Sequence, residues 1–175
     1  DMLRGEHITA DKLNVFYDPG VGSGGTVTNC IFTSVTNIGA DMTLRNCVTN
    51  SRSSGFYQTV GAASYLLADG STNRNSGTTN ISTTLSTDIK KLTTYPPLLL
   101  FSNITTATTL SPQAQRDTDL PDLGYHYAPL DYVANARSVS STLTLTNGVA
   151  IGTYGNSGSY GFSVSGTVLS QGRPE

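Results

Sequence analysis

Val27-Thr28-Asn29-Cys30-Ile31-Phe32 and Leu44-Arg45-Asn46-Cys47-Val48-Thr49 superimpose at an offset of 17 residues. Each segment has an apolar residue and a spacer, then Asn-Cys, then a second apolar residue. That offset is too short for a helical repeat pair and suits one coil of a β-solenoid; chance similarity between two short segments is the alternative. Stacked coils hold equivalent residues about 4.8 Å apart, so Asn29 and Asn46 are expected to form an amide ladder. Cys30 and Cys47 become equivalent on adjacent coils. Their spacing suits a disulfide but parallel side chains make its dihedral awkward, so stacked reduced thiols are the expectation.

Outward from this pair the pattern changes twice. A glycine-rich turn, Pro19 to Gly25, precedes it. After Gly55 the repeat loosens into a strand at Tyr65–Ala68 and a polar loop from Asp69 to Asn80. Leu85, Ile89 and Leu92 fall at helical spacing, Ser82 or Thr84 can cap the start, and Lys90 and Lys91 suit the C-terminal dipole. One short helix is therefore expected within 82–92, ended by Pro96-Pro97. Thr105–Leu110 is β-prone. Val139, Ser141, Leu143 and Leu145 alternate with period two, and Asn147-Gly148 is a strong turn signal. Ala150–Tyr154, Tyr160–Val164 and Thr167–Ser170 read as further short strands, with Val164-Ser165-Gly166 repeating Leu145 to Gly148 one coil later. The expected division is β-helix coils over 1–68, a loop-rich connecting segment over 69–135, and the start of a second stack over 136–175.

Composition supports an all-β reading. The 175 residues include 26 Thr, 20 Ser, 12 Asn and 18 Gly, and only 13% are charged. Thr, Val, Ile and Tyr fit pleated surfaces, while Gly, Asn, Asp and Ser supply turns. A net charge of −2 gives no basic field for nucleic acid or anionic lipid. No apolar run approaches the about 20 residues of a membrane span, so membrane insertion is not expected. Richness in Ser and Thr with few charges is commoner in secreted bacterial proteins. The chain opens on Asp1, which reads as a mature or excised piece of a longer precursor.

The coil segments and the block Asp117-Thr118-Asp119-Leu120-Pro121-Asp122-Leu123-Gly124-Tyr125-His126-Tyr127 resemble secreted bacterial right-handed parallel β-helix repeat proteins. In that family an Asp-hydrophobic-Gly-aromatic run after a DxD turn often closes a β-helix. Leu143 to Gly172 is similar to the opening of a fresh one. The resemblance implies an all-β, right-handed parallel β-helix with a loop-rich insertion carrying one short helix. The chain departs from the family in its small number of legible coils.

Asp117, Asp119 and Asp122 form the densest acidic cluster. Alternate carboxylates on a turn can converge on calcium, the only cofactor the sequence suggests, but the glycine and glutamate of an EF-hand loop are missing. An Asx-turn accepting backbone N–H groups is the plainer reading. Tyr125, Tyr127 and Tyr132 are candidate carbohydrate contacts, with packing against the solenoid as the alternative. His126, between two tyrosines, reads as a structural hydrogen-bonding group, and His7 has no partner in sequence. No stacked acidic pair, Ser-His-Asp set or metal-ligand spacing emerges. Asn80-Ile81-Ser82 and Asn103-Ile104-Thr105 fit the N-glycosylation pattern, which in a bacterial protein is usually accidental.

Two functions are therefore expected to compete. The first is a structural or adhesive module of an extracellular or cell-surface β-helix protein, with a filament subunit or segment as one form of it. The second is a non-catalytic or terminal part of a polysaccharide-active lyase or glycosidase, with polysaccharide as its partner. Strand Thr167–Ser170, with no cap after it, favours continuation into further coils or self-association.

Overall fold

The computed structural model describes residues 3–17, 24–156 and 158–172. Most of the glycine-rich turn and the last three residues lie outside them. The described chain is all-β with a single helix, and it divides into two units. One comprises Asp1–Gln58, Leu67–Thr94 and Arg116–Ala128; the other comprises Thr59–Leu66, Tyr95–Gln115 and Pro129–Glu175. This differs from a division at 68 and 135, because residues 69–135 are shared between the two units.

The first unit begins with six strands: β1 (Leu3–Glu6), β2 (Thr9–Asp11), β3 (Gly25–Thr28), β4 (Ile31–Thr33), β5 (Met42–Arg45) and β6 (Val48–Asn50). β1, β3 and β5 form one parallel sheet, and β2, β4 and β6 form another. Val27 pairs with Leu44 and Ile31 with Val48, so the 17-residue offset is the strand register. A further pass precedes it at a spacing of 22, with Gly5 opposite Val27 and Thr9 opposite Ile31.

Each pass turns between its two strands at a two-residue corner: His7-Ile8, Asn29-Cys30 and Asn46-Cys47. The first residue of each corner is left-handed, with φ of 53°, 56° and 49°. Asn tolerates that region better than most residues, which explains its recurrence there. Phe32 packs inside with Ala10, Val27 and Cys30 and meets Phe16 edge-on at 4.7 Å. Ile31, on the opposite face of β4, packs with Leu67 and Leu123. Both faces of β4 are thus covered, and all three of its residues are buried.

β7 (Tyr57–Val60) then pairs with β8 (Ala63–Leu67) across a tight turn, and helix α1 (Thr83–Ile89) follows. Ser82 caps α1 by accepting from the Leu85 N–H. The helix stops short of Leu92 because Lys90 and Lys91 N–H groups turn to Asp88 O, tightening the last turn.

The second unit contains β9 (Leu98–Leu100), β10 (Thr108–Leu110), β11 (Tyr132–Ala134), β12 (Arg137–Val139), β13 (Thr142–Leu145) and β14 (Ile151–Thr153). β15 (Gly155–Asn156), β16 (Ser159–Tyr160), β17 (Phe162–Val164) and β18 (Thr167–Ser170) complete it. Three parallel groups form: β9 with β11 and β14, β12 with β17, and β10 with β13 and β18. Ile104 bridges Val139 in parallel, adding a third layer to the middle group. β15 and β16 pair antiparallel as a small hairpin. Ile104, Leu110, Tyr132, Val139 and Leu143 form the core.

The observed pairing corrects three sequence expectations. The alternation from Val139 to Leu145 spans a bend at Ser140-Ser141, so its two ends belong to different strands. Val164 pairs with Val139 rather than repeating Leu145, because Leu145 lies opposite Ser170. The parallel stack in this part of the chain also starts at Leu98, well before residue 136.

Asp131 ties these segments together from inside. Its Oδ1 accepts the Gln113 and Ala114 N–H groups at 2.6 and 2.8 Å, and its Oδ2 accepts the Ala150 N–H at 2.7 Å. A carboxylate so surrounded by amides replaces its lost hydration with fixed donors.

Candidate functional site

The block from Asp117 to Tyr127 folds back on the corners of the first unit. Gly124 N–H donates to Asn29 O at 2.8 Å, Tyr125 N–H to Thr9 Oγ1 at 2.9 Å, and Leu123 N–H to Asn73 O at 2.9 Å. Gly124 has φ of 82°, and a Cβ there would lie 2.5 Å from Thr9 Oγ1. Glycine is therefore required on two counts, conformation and close approach.

Beneath this crossing lies a buried polar network. Asp117 Oδ2 accepts from His126 Nε2 at 2.6 Å and from the Asp122 N–H at 2.8 Å. His126 Nδ1 faces the Gly124 carbonyl at 3.1 Å. Both ring nitrogens thus face oxygen atoms. His7 meets the same ring edge-on, with centroids 4.9 Å apart. Burial, and after it the charge of His126, pushes the His7 imidazole down to about 4. Asn29 Nδ2 donates to His7 Nε2 at 3.0 Å and to Thr78 O at 2.8 Å, and Thr78 N–H returns a bond to Asn29 Oδ1. Asp122 accepts from the Thr94 hydroxyl and from the Asn75 N–H; burial raises its carboxyl above the usual range.

This arrangement joins segments of the first unit, with its acid and imidazole deeply buried. His126 and Asp117 side chains are each 1% exposed. The Thr94 hydroxyl in the network is directed at Asp122 instead of at an imidazole. Of the acidic trio, Asp117 and Asp122 are joined by a hydrogen bond from the Asp122 N–H, whereas Asp119 is exposed. Among the described residues no three His, Cys, Asp or Glu side chains converge as a metal set.

The tyrosines also separate. Tyr125 is 57% exposed and meets Tyr127 edge-on at 4.8 Å. Tyr132 is buried in the core of the second unit, where its hydroxyl donates to Ser111 O at 3.0 Å.

Asn29 and Asn46 occupy equivalent corners, but their side chains bond to the loop and not to each other. Asn46 Nδ2 donates to Ser76 O at 2.8 Å, two residues from the Thr78 that Asn29 holds. The corner asparagines thereby dock the 76–78 segment. Cys30 and Cys47 are free thiols, with the Cys30 N–H 3.4 Å from Cys47 Sγ. Asn80 and Asn103 are both exposed, and Asn103 Oδ1 accepts the Ser138 N–H.

Two participants carry no sign in the sequence. His7 stands where later passes have Asn, at a different spacing, and Asp131 is a lone acid among apolar neighbours. Comparison with known proteins finds no matching family model, no matching curated protein and no matching solved structure.

Proposed function

We propose that this chain is a structural or adhesive segment of a secreted, extracellular protein built as a right-handed parallel β-helix. The observation that carries the reading is the strand order. In each unit the chain revisits the same parallel sheets in the same sequence, with equivalent residues in register. Low charge and abundant Ser and Thr accord with an extracellular setting. The deeply buried acid–imidazole network joins segments of the first unit, as a scaffold would use it.

Such stacks present edges. All four residues of β18 are exposed, including Val168 and Leu169, and among the described strands only β13 pairs with it. Another layer added there, from further coils or from a second copy, would satisfy its unpaired backbone groups.

The exposed Tyr125, edge-on to a half-buried Tyr127, favours a second reading, a non-catalytic or terminal part of a polysaccharide-active enzyme. A panel of polysaccharides assayed for retention and for released oligosaccharides separates the two. Retention without products, lost in Tyr125→Ala, indicates a glycan-binding adhesive. No retention indicates a purely structural segment. Released oligosaccharides would overturn the structural reading.

A further inference from the structure

We infer that Cys30 and Cys47 form a peroxide-responsive dithiol that closes to a disulfide across two neighbouring passes of the chain. Geometry carries this, independently of the proposed function. Register-locked pairs flank the cysteines on both sides: Thr28 opposite Arg45 and Ile31 opposite Val48. Residues held between such rungs have Cα atoms about 4.8 Å apart, inside the range of about 4.4 to 6.8 Å that a disulfide spans. Cys47 Sγ accepts from the Cys30 N–H at 3.4 Å, and Cys30 Sγ accepts from the Ile8 N–H one pass earlier, so closing the bond takes a rotamer change at Cys30.

The two thiols differ in ways that assign them different roles. Cys30 is fully buried, whereas Cys47 is half-buried against the same cluster and is the more accessible of the two. The neighbouring Cys30 side chain, joined by its N–H, brings the Cys47 thiol down to about 7 against the opposing effect of burial. The Cys47 side chain, together with burial, pushes the Cys30 thiol up. Cys47 is thus the attacking thiolate and Cys30 the resolving thiol.

The steps balance with hydrogen peroxide as the named oxidant. Cys47 thiolate attacks one peroxide oxygen, the O–O bond breaks, and hydroxide leaves with Cys47 as a sulfenic acid. Cys30 sulfur then attacks Cys47 sulfur, the S–O bond breaks, and the departing hydroxide takes the Cys30 proton as water. Two thiols are oxidised and one peroxide is reduced to two waters.

The test uses the full chain, fully reduced and then exposed to stoichiometric hydrogen peroxide. Both titratable thiols should disappear, with a mass loss of two hydrogens and no dimer. Trypsin cleavage at Lys12, Arg45 and Arg52 should leave peptides 13–45 and 46–52 joined until a reductant is added. In Cys30→Ser the half-buried Cys47 should instead gain oxygen, and in Cys47→Ser the buried Cys30 should resist at least tenfold longer. Two thiols still titratable in the wild-type chain would overturn the proposal. So would oxygen gain at wild-type Cys47 as fast as in Cys30→Ser.

Discussion

Asp117 Oδ2 and His126 Nε2 lie 2.6 Å apart with both side chains 1% exposed, and the same imidazole turns its other nitrogen to the Gly124 carbonyl. A hydrogen-bonded acid–imidazole pair so enclosed is costly to break, because either partner alone remains buried without compensation.

Asp117→Asn and His126→Gln should each destabilise the chain by about 3 to 5 kcal/mol. The double variant should cost clearly less than the two singles together, since the stranded partner is also removed. Urea denaturation of the four proteins measures this coupling. Strict additivity would mean that the contact does not hold the segment down.

His7 gives the fold a definite acid sensitivity. Its folded value near 4 lies below the unfolded 6.5, so between those values the unfolded chain binds the extra proton. This part of the stability is intact above pH 6.5 and falls on acidification towards pH 4, by at most about 3 kcal/mol. The raised Asp122 carboxyl acts in the opposite sense at the acidic end. His7→Asn, the residue found at the next two corners, should flatten the slope of urea stability between pH 6.5 and 4.

In the second unit, Asp131→Ala removes acceptors for three backbone N–H groups. A loss of about 3 kcal/mol or more is expected, given the weight of charge-assisted bonds and the buried amides left behind. Hydrogen exchange at Gln113, Ala114 and Ala150 should accelerate together. Unchanged exchange at these three amides would contradict the anchoring role.

Ala136 holds φ of 47°, while the equivalent corner one pass later is Gly161 at 71°. Ala136→Gly should stabilise by about 1 kcal/mol, because a Cβ is strained in the left-handed region. The midpoint of thermal unfolding reads this directly.

One register is plain in the sequence, because Asn29-Cys30 and Asn46-Cys47 repeat both the corner residue and the cysteine after it. The preceding pass is hidden: His7-Ile8 keeps the corner but changes its chemistry, and its spacing is 22 rather than 17. In the second unit Leu98–Leu100 pairs with Tyr132–Ala134 across a long intervening segment. No local periodicity reveals such a partner. His126 is legible as a structural group from its aromatic neighbours. Its partners are not, since Asp117 and His7 are brought to it only by the fold-back of the closing block.

The most direct measurement of the proposed architecture and role is electron microscopy of the native protein. The expected result is an elongated rod or filament with strands stacked at about 4.8 Å along its axis. A compact particle whose strands in this region pair mainly antiparallel would contradict it.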